Sequence, residues 1–220
     1  NSFSDVDVGT SLSYTVQLSG GGALPAWLSF DNNARTFTGT PLNADVGTIV
    51  IQVTADDGQG GVAATDNFNL VVMNANDLPS GDVVITGSVI EDQTLFADTA
   101  GLSDEDGLGT FSYQWLRNGV SISGASSSTY TLTDTDVGES LSVTVTYTDA
   151  RGTLESITSA GTIAVANIND LPMGEVSISG TASLGETLTA SHNITDDDGM
   201  GLVAYQWQRD GIDIIGQTGS

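Results

Sequence analysis

The feature that most constrains this chain is that it repeats. Asn74-Ala-Asn-Asp77-Leu-Pro79 returns as Asn167-Ile-Asn-Asp170-Leu-Pro172, 93 residues on (170 − 77). The segments after each copy recur in the same order. Gly81-Asp-Val-Val-Ile-Thr-Gly87 matches Gly174-Glu-Val-Ser-Ile-Ser-Gly180, and Leu102-Ser-Asp-Glu-Asp-Gly-Leu-Gly109 matches Ile194-Thr-Asp-Asp-Asp-Gly-Met-Gly201. Tyr113-Gln-Trp-Leu-Arg-Asn-Gly119 matches Tyr205-Gln-Trp-Gln-Arg-Asp-Gly211. The period is that of one small β-sandwich, so the chain reads as an array of like modules. The expected modules are 1–79, 80–172 and 173–220. The first is expected to lack its opening strand. The last is expected to lack the counterpart of 129–172, because Ser220 aligns with Ser128.

Within a module the hydrophobic period is two. Leu141, Val143, Val145 and Tyr147 alternate with Ser142, Thr144 and Thr146, and Phe111, Tyr113 and Trp115 alternate likewise. Such strands bury one face and wet the other. Asn118-Gly119 and Asp210-Gly211 are hairpin-turn dipeptides. Thr48–Thr54 and Phe68–Val72 read as strands flanking Asp56-Asp-Gly-Gln-Gly-Gly61. No segment carries a 3.6-residue period. The expected fold is therefore all-β: tandem immunoglobulin-like or cadherin-like sandwiches in an elongated array. Trp115 and Trp207 are expected as core plugs of their modules, with sugar stacking as the alternative. Trp27 is expected as the centre of the first core or as a junction filler.

Composition narrows the function. Four basic residues, all Arg, face 28 acidic ones, for a formal net charge of −24. Nucleic acid and anionic membranes both require a basic footprint, so neither is an expected partner. No apolar run reaches the length of a membrane-spanning helix, so membrane insertion is not expected either. Six of the acids are Glu and 22 are Asp. Short carboxylates in turns suit calcium loops better than the Glu-rich surface of a soluble helix. With no Cys, disulfides cannot staple the modules, and metal is the remaining cross-link for a secreted chain.

The motifs resemble known repeats. Pro25-Ala-Trp-Leu-Ser-Phe-Asp31, Phe37-Thr-Gly-Thr-Pro41, Val53-Thr-Ala-Asp-Asp-Gly58 and the closing Asn-x-Asn-Asp-x-Pro resemble the dystroglycan-type cadherin-like repeat of bacterial surface proteins. Tyr-Gln-Trp-x-Arg-x-Gly, Tyr130-Thr-Leu-Thr-Asp-Thr-Asp-Val-Gly138 and Tyr147-Thr-Asp-Ala-Arg-Gly152 resemble the immunoglobulin-like tandem repeats of giant adhesins of the RTX, biofilm-associated type. The resemblance implies secretion, a place at the bacterial cell surface, and calcium at the junctions. The glycine-rich nonapeptides of RTX β-rolls are absent, so no β-roll is expected.

Three carboxylate features per module are expected at one end of a sandwich. One is an Asp-x-Asp loop between the second and third strands: Asp5/Asp7, Asp104/Asp106 and Asp196/Asp198. Another is an Asp loop between the last two strands: Asp56/Asp57 and Asp149. The third is the linker, supplying Asn76 and Asp77, then Asn169 and Asp170. Calcium takes six to eight hard oxygens in irregular geometry, which such loops approach with backbone carbonyls and water. Crowded carboxylates without a cation repel one another. Ca2+ is thus the expected cofactor, and the first linker is expected to carry the complete set. The alternative for each loop by itself is a plain Asx turn. An EF-hand is excluded for Asp104-Glu-Asp-Gly107, which lacks the downstream Glu and flanking helices.

The expected function is a calcium-stiffened stalk of a large secreted surface adhesin, serving cell adhesion or biofilm formation. Its expected partners are calcium ions and neighbouring repeats of the same chain, and a monomer is expected. A glycan- or peptide-binding module, or a spacer within a secreted hydrolase, are the alternatives. Catalysis is not expected. His192 is the single His, Cys and Lys are absent, and the paired carboxylates recur per module where an active site would be unique.

Overall fold

The computed structural model describes residues 3, 11–60 and 63–220. Its backbone divides into two compact units. The first takes in Asn1–Ser80 with the loops Ser103–Gly109 and Thr148–Glu155; the second takes in Gly81–Leu102, Thr110–Tyr147 and Ser156–Ser220. The chain is all-β, and the helical segments among the described residues are two single 3-10 turns, Asn43–Asp45 and Asp134–Asp136.

In the first unit the strands are β1 (Ser13–Leu18), β2 (Leu28–Asp31), β3 (Thr36–Gly39), β4 (Gly47–Asp56) and β5 (Ala64–Val72). The long β4 is central, pairing antiparallel with β1 on one side and β5 on the other. β2 and β3 form a separate hairpin. Ile51 and Ala55 lie on the same face of β4 and are buried, as is Leu28. Phe37 adds an aromatic contact on either side, to Phe30 at 4.8 Å and to Phe68 at 5.6 Å between ring centres. The core therefore centres on Ile51 and Leu28 rather than on Trp27, which is only half-buried. Trp27 lies in the turn before β2, and the buried face of the hairpin opens with Leu28, the first residue of the strand. The Trp27 ring instead covers Gly39, where an added Cβ would lie 3.0 Å from the indole Cε3.

From residue 80 to 172 the strands are β6 (Val84–Thr86), β7 (Thr94–Asp98), β8 (Ser112–Arg117), β9 (Val120–Ser121), β10 (Thr129–Thr131), β11 (Leu141–Thr148) and β12 (Leu154–Thr158). They form two sheets, ordered β10-β7-β6 and β12-β11-β8-β9. Three strands over four is an immunoglobulin-like sandwich. Its core joins Val83, Leu95, Leu102, Trp115, Leu132, Leu141, Val143, Val145 and Val165. The alternation in β11 is strict, with Leu141, Val143, Val145 and Tyr147 all buried. Trp115 is fully enclosed, stacks on Tyr130 at 5.7 Å, and donates its indole N–H to the Ser127 carbonyl at 2.9 Å. The β8–β9 turn carries positive φ at both Asn118 and Gly119, as a type I′ hairpin demands.

After residue 172 come two hairpins, β13 (Val176–Ser179) with β14 (Thr189–His192), and β15 (Gln208–Arg209) with β16 (Ile212–Asp213). The local scaffolding around Trp207 copies that around Trp115. Its indole N–H reaches the Gly219 carbonyl at 2.8 Å, and Gln206 bonds the carbonyls of Trp207 and Ile214 as Gln114 bonds those of Trp115 and Ile122. The core does not follow. Ala190 is the one buried residue in this stretch, and Leu184, Leu202 and Ile215 are fully exposed.

Candidate metal centres at the two linkers

The first linker lies against the two loops that share its compact unit. The Asp77 N–H donates to Asp106 Oδ2 at 2.8 Å, and the Asp106 N–H donates to Asp104 Oδ1 at 2.8 Å. Asn76 Nδ2 donates to Glu155 Oε1 at 2.9 Å. Asn43, in the first 3-10 turn, donates its amide to Asp77 Oδ2 at 2.6 Å. An antiparallel bridge from Ser80 to Ser103 registers the linker on the Asp104 loop. The two loops also touch: the Ala150 N–H bonds the Asp106 carbonyl at 3.2 Å. Gly109 makes this approach possible, because any Cβ there would overlap the Thr148 carbonyl.

The same pattern recurs at the second linker. The Asp170 N–H donates to Asp198 Oδ2 at 2.7 Å, the Asp198 N–H donates to Asp196 Oδ1 at 3.1 Å, and Met173 bridges to Thr195. Asn167 Nδ2 adds a bond to Asp198 Oδ1 at 2.8 Å, while Asn169 caps its neighbour's carbonyl. The Ile168 N–H donates to Glu91 Oε2 at 3.2 Å. Carboxylate oxygens of Glu91, Asp170 and Asp198 all lie within 4.8 Å of one another. This convergence of three acids is at the second linker, whereas the repeat pattern alone points to the first.

The hydrogen-bond satisfaction of these groups is unusual. Among the described residues, the buried side-chain polar atoms left without a partner are Asn74 Oδ1, Asp106 Oδ1, Asp149 Oδ2 and Glu91 Oε1. All four are oxygens and all lie on the linkers or the groups around them. Buried acceptors are ordinarily satisfied, and an orphan costs about 1–3 kcal/mol, more when charged. Elsewhere the described residues follow that rule. Asp136, with no exposed surface, accepts from Arg117, Tyr130 and both the N–H and hydroxyl of Thr133. Orphan oxygens with no donor to satisfy them are what a hard cation coordinates.

The electrostatics of the two linkers point the same way. The Asp134 side chain set against Glu91 raises the latter's pKa, opposed by the Ile168 N–H. Burial raises the pKa of Asp170, and Asp134, Asp198, Asp92 and Asp197 push it further. Asp149 differs: burial works to raise it, but N–H groups of Thr153, Arg151 and Gly152 outweigh that and hold it low. It is thus a preformed anion whose second oxygen, Oδ2, has no partner.

Asp56 and Asp57 accept the N–H groups of Gly58 and Gln59, as Asx turns do. Asp5 and Asp7 lie outside the described residues. Sequence spacing does not indicate Glu91, Glu155, Asn43 or Asp134. The turn Leu42-Asn-Ala-Asp45 and its counterpart Thr133-Asp-Thr-Asp136, each closed by an Asp side chain on the backbone N–H three residues earlier, are a signal that could have found the last two.

Residues 1–73 match the He_PIG family model, described as "Putative Ig domain". No curated protein matches the chain. The match and the seven-stranded sandwich agree on an immunoglobulin-like fold, one typical of non-enzymatic repeat modules of structural or adhesive type. Among the described residues, no helix is long and apolar enough to cross a membrane.

Proposed function

We propose that this chain is a run of calcium-binding structural repeats, with modules 1–79, 80–172 and 173–220, from the stalk of a large secreted bacterial adhesin. The observation that carries the reading is the set of four orphaned buried oxygens, all at the linkers or around them. A calcium ion supplies the positive charge that these acceptors lack, and it takes their irregular arrangement readily. The linker, the Asp-x-Asp loop and the Asp149 loop then share one ion. Binding makes the linker's path depend on calcium, which stiffens the connection between successive modules. The resemblance to dystroglycan-type cadherin-like repeats and to RTX-type adhesin repeats supports the extracellular, cell-surface setting.

Extracellular modules bind calcium with dissociation constants of about 10⁻⁴–10⁻³ M. At tenfold excess one site adds about 1.4 kcal/mol by mass action, which is modest for folding but large for a short linker. The test is small-angle scattering of the 220-residue chain in millimolar calcium and in chelator. The curves differ between the two conditions on this reading. Identical curves would leave the Asp residues as turn formers.

A further inference from the structure

The two linkers share their Asp-to-Asp backbone bonds, and one position at which their surroundings differ lies in the two 3-10 turns. In the first 3-10 turn that position is Asn43, whose amide donates to Asp77. In the second it is Asp134, whose carboxylate stands against Glu91 and acts on Asp170. The backbone holds this second turn in place. The Asp92 N–H bonds the Leu132 carbonyl at 3.2 Å, the Glu91 N–H bonds the Ala166 carbonyl at 2.9 Å, and Val137 bridges to Val165 just before the second linker. Glu91 therefore arrives beside the linker by main-chain register. It is 1 % exposed, and its Oε1 has no donor.

We propose that the two linkers bind divalent cations unequally, with Glu91, Asp170 and Asp198 forming the tighter site and Asn43 weakening the first. This rests on the calcium reading above and adds an order of filling to it. At the second linker carboxylate oxygens of three acids converge within 4.8 Å of one another, and affinity in oxygen-ligand sites rises with the number of charged ligands that converge. The first linker already has part of its need met: Asn43 satisfies Asp77 Oδ2, so a cation there must displace or share that bond. The first linker thus keeps an amide bond on the linker carboxylate itself, whereas at the second the Asn167 amide goes to Asp198.

Calorimetric titration of the full chain with calcium chloride tests this, using wild type, Asp134→Asn and Asn43→Asp. Wild type shows two affinity classes. Asp134→Asn weakens the tighter class by roughly tenfold and spares the weaker one. Asn43→Asp tightens the weaker class by a similar factor, and this arm stands even if Asp134→Asn fails to fold. Absence of calcium binding in wild type overturns both this inference and the functional reading. Calcium binding in one class, or in two classes that neither substitution moves, overturns the inequality and leaves the reading intact.

Discussion

Asp106→Asn separates a metal ligand from a turn former, because its effect changes sign with calcium. Asp106 is 3 % exposed, its Oδ2 holds the Asp77 N–H, and its Oδ1 has no partner. Asn keeps the shape and one acceptor for Asp77 but removes the charge. Without calcium, an uncompensated buried carboxylate among other acids is destabilising, and replacing it by a neutral isostere recovers about 1 kcal/mol. With calcium the balance reverses. At 100 times the dissociation constant an ion adds about 2.7 kcal/mol to wild type. A variant bound some hundredfold more weakly keeps about 0.4 kcal/mol of that. The net is a loss of roughly 1 kcal/mol in calcium against a gain of similar size in chelator. In a domain of about 60–100 residues each kcal/mol moves Tm by about 4–8 °C, so thermal unfolding followed by circular dichroism resolves both signs. Equal destabilisation in calcium and chelator would refute the reasoning, and so would a calcium-induced rise in Tm as large for the variant as for wild type.

Gly109→Ala forces the Asp104 loop off the Thr148 carbonyl; the expected cost is about 1–3 kcal/mol, with weaker calcium binding at the first linker by calorimetry. Tyr130 has its pKa raised by burial and then by its hydrogen bond to Asp136. A folded-state value above the unfolded one gives stability that is full below pH about 10 and lost as pH climbs through the folded value; ultraviolet titration of tyrosinate should lose one component that titrates above the ordinary tyrosine range in Tyr130→Phe. A broad-specificity protease should cleave beyond Pro172 well before it cuts 80–172, since that final stretch buries only Ala190; equal survival of both would contradict the exposure of Leu184, Leu202 and Ile215.

Two strands of 80–172, β8 and β11, were legible because each reports its own face. Leu141 to Tyr147 alternates without a break, Trp115 sits in phase with Tyr113, and Asn118-Gly119 can close only a tight hairpin. Trp27 is large enough to suggest a core centre, but it lies in the turn before β2, and Leu28 at the start of that strand is the buried residue. At the linkers, the repeated Asp-x-Asp and Asn-x-Asn-Asp motifs located groups that do meet, since Asp77 with Asp106 and Asp170 with Asp198 make the same bond. The other partners were hidden by distance along the chain. Glu155 is 79 residues from Asn76, and Glu91 is 77 residues from Ile168. Neither belongs to a local motif, and only the pairing of strands brings them to the linker. Asn43 and Asp134 were hidden differently: their turns match, but the side chains that matter do not.

The most direct test of the central claim is a calcium titration of the isotope-labelled chain followed by amide nuclear magnetic resonance. The amides of Asp77, Asp106, Asp170 and Asp198 each donate to a carboxylate of the linker sites. They should therefore show the largest shifts, saturating at millimolar calcium or below. Shifts that are absent, or spread without saturation over the acidic surface, would contradict the account.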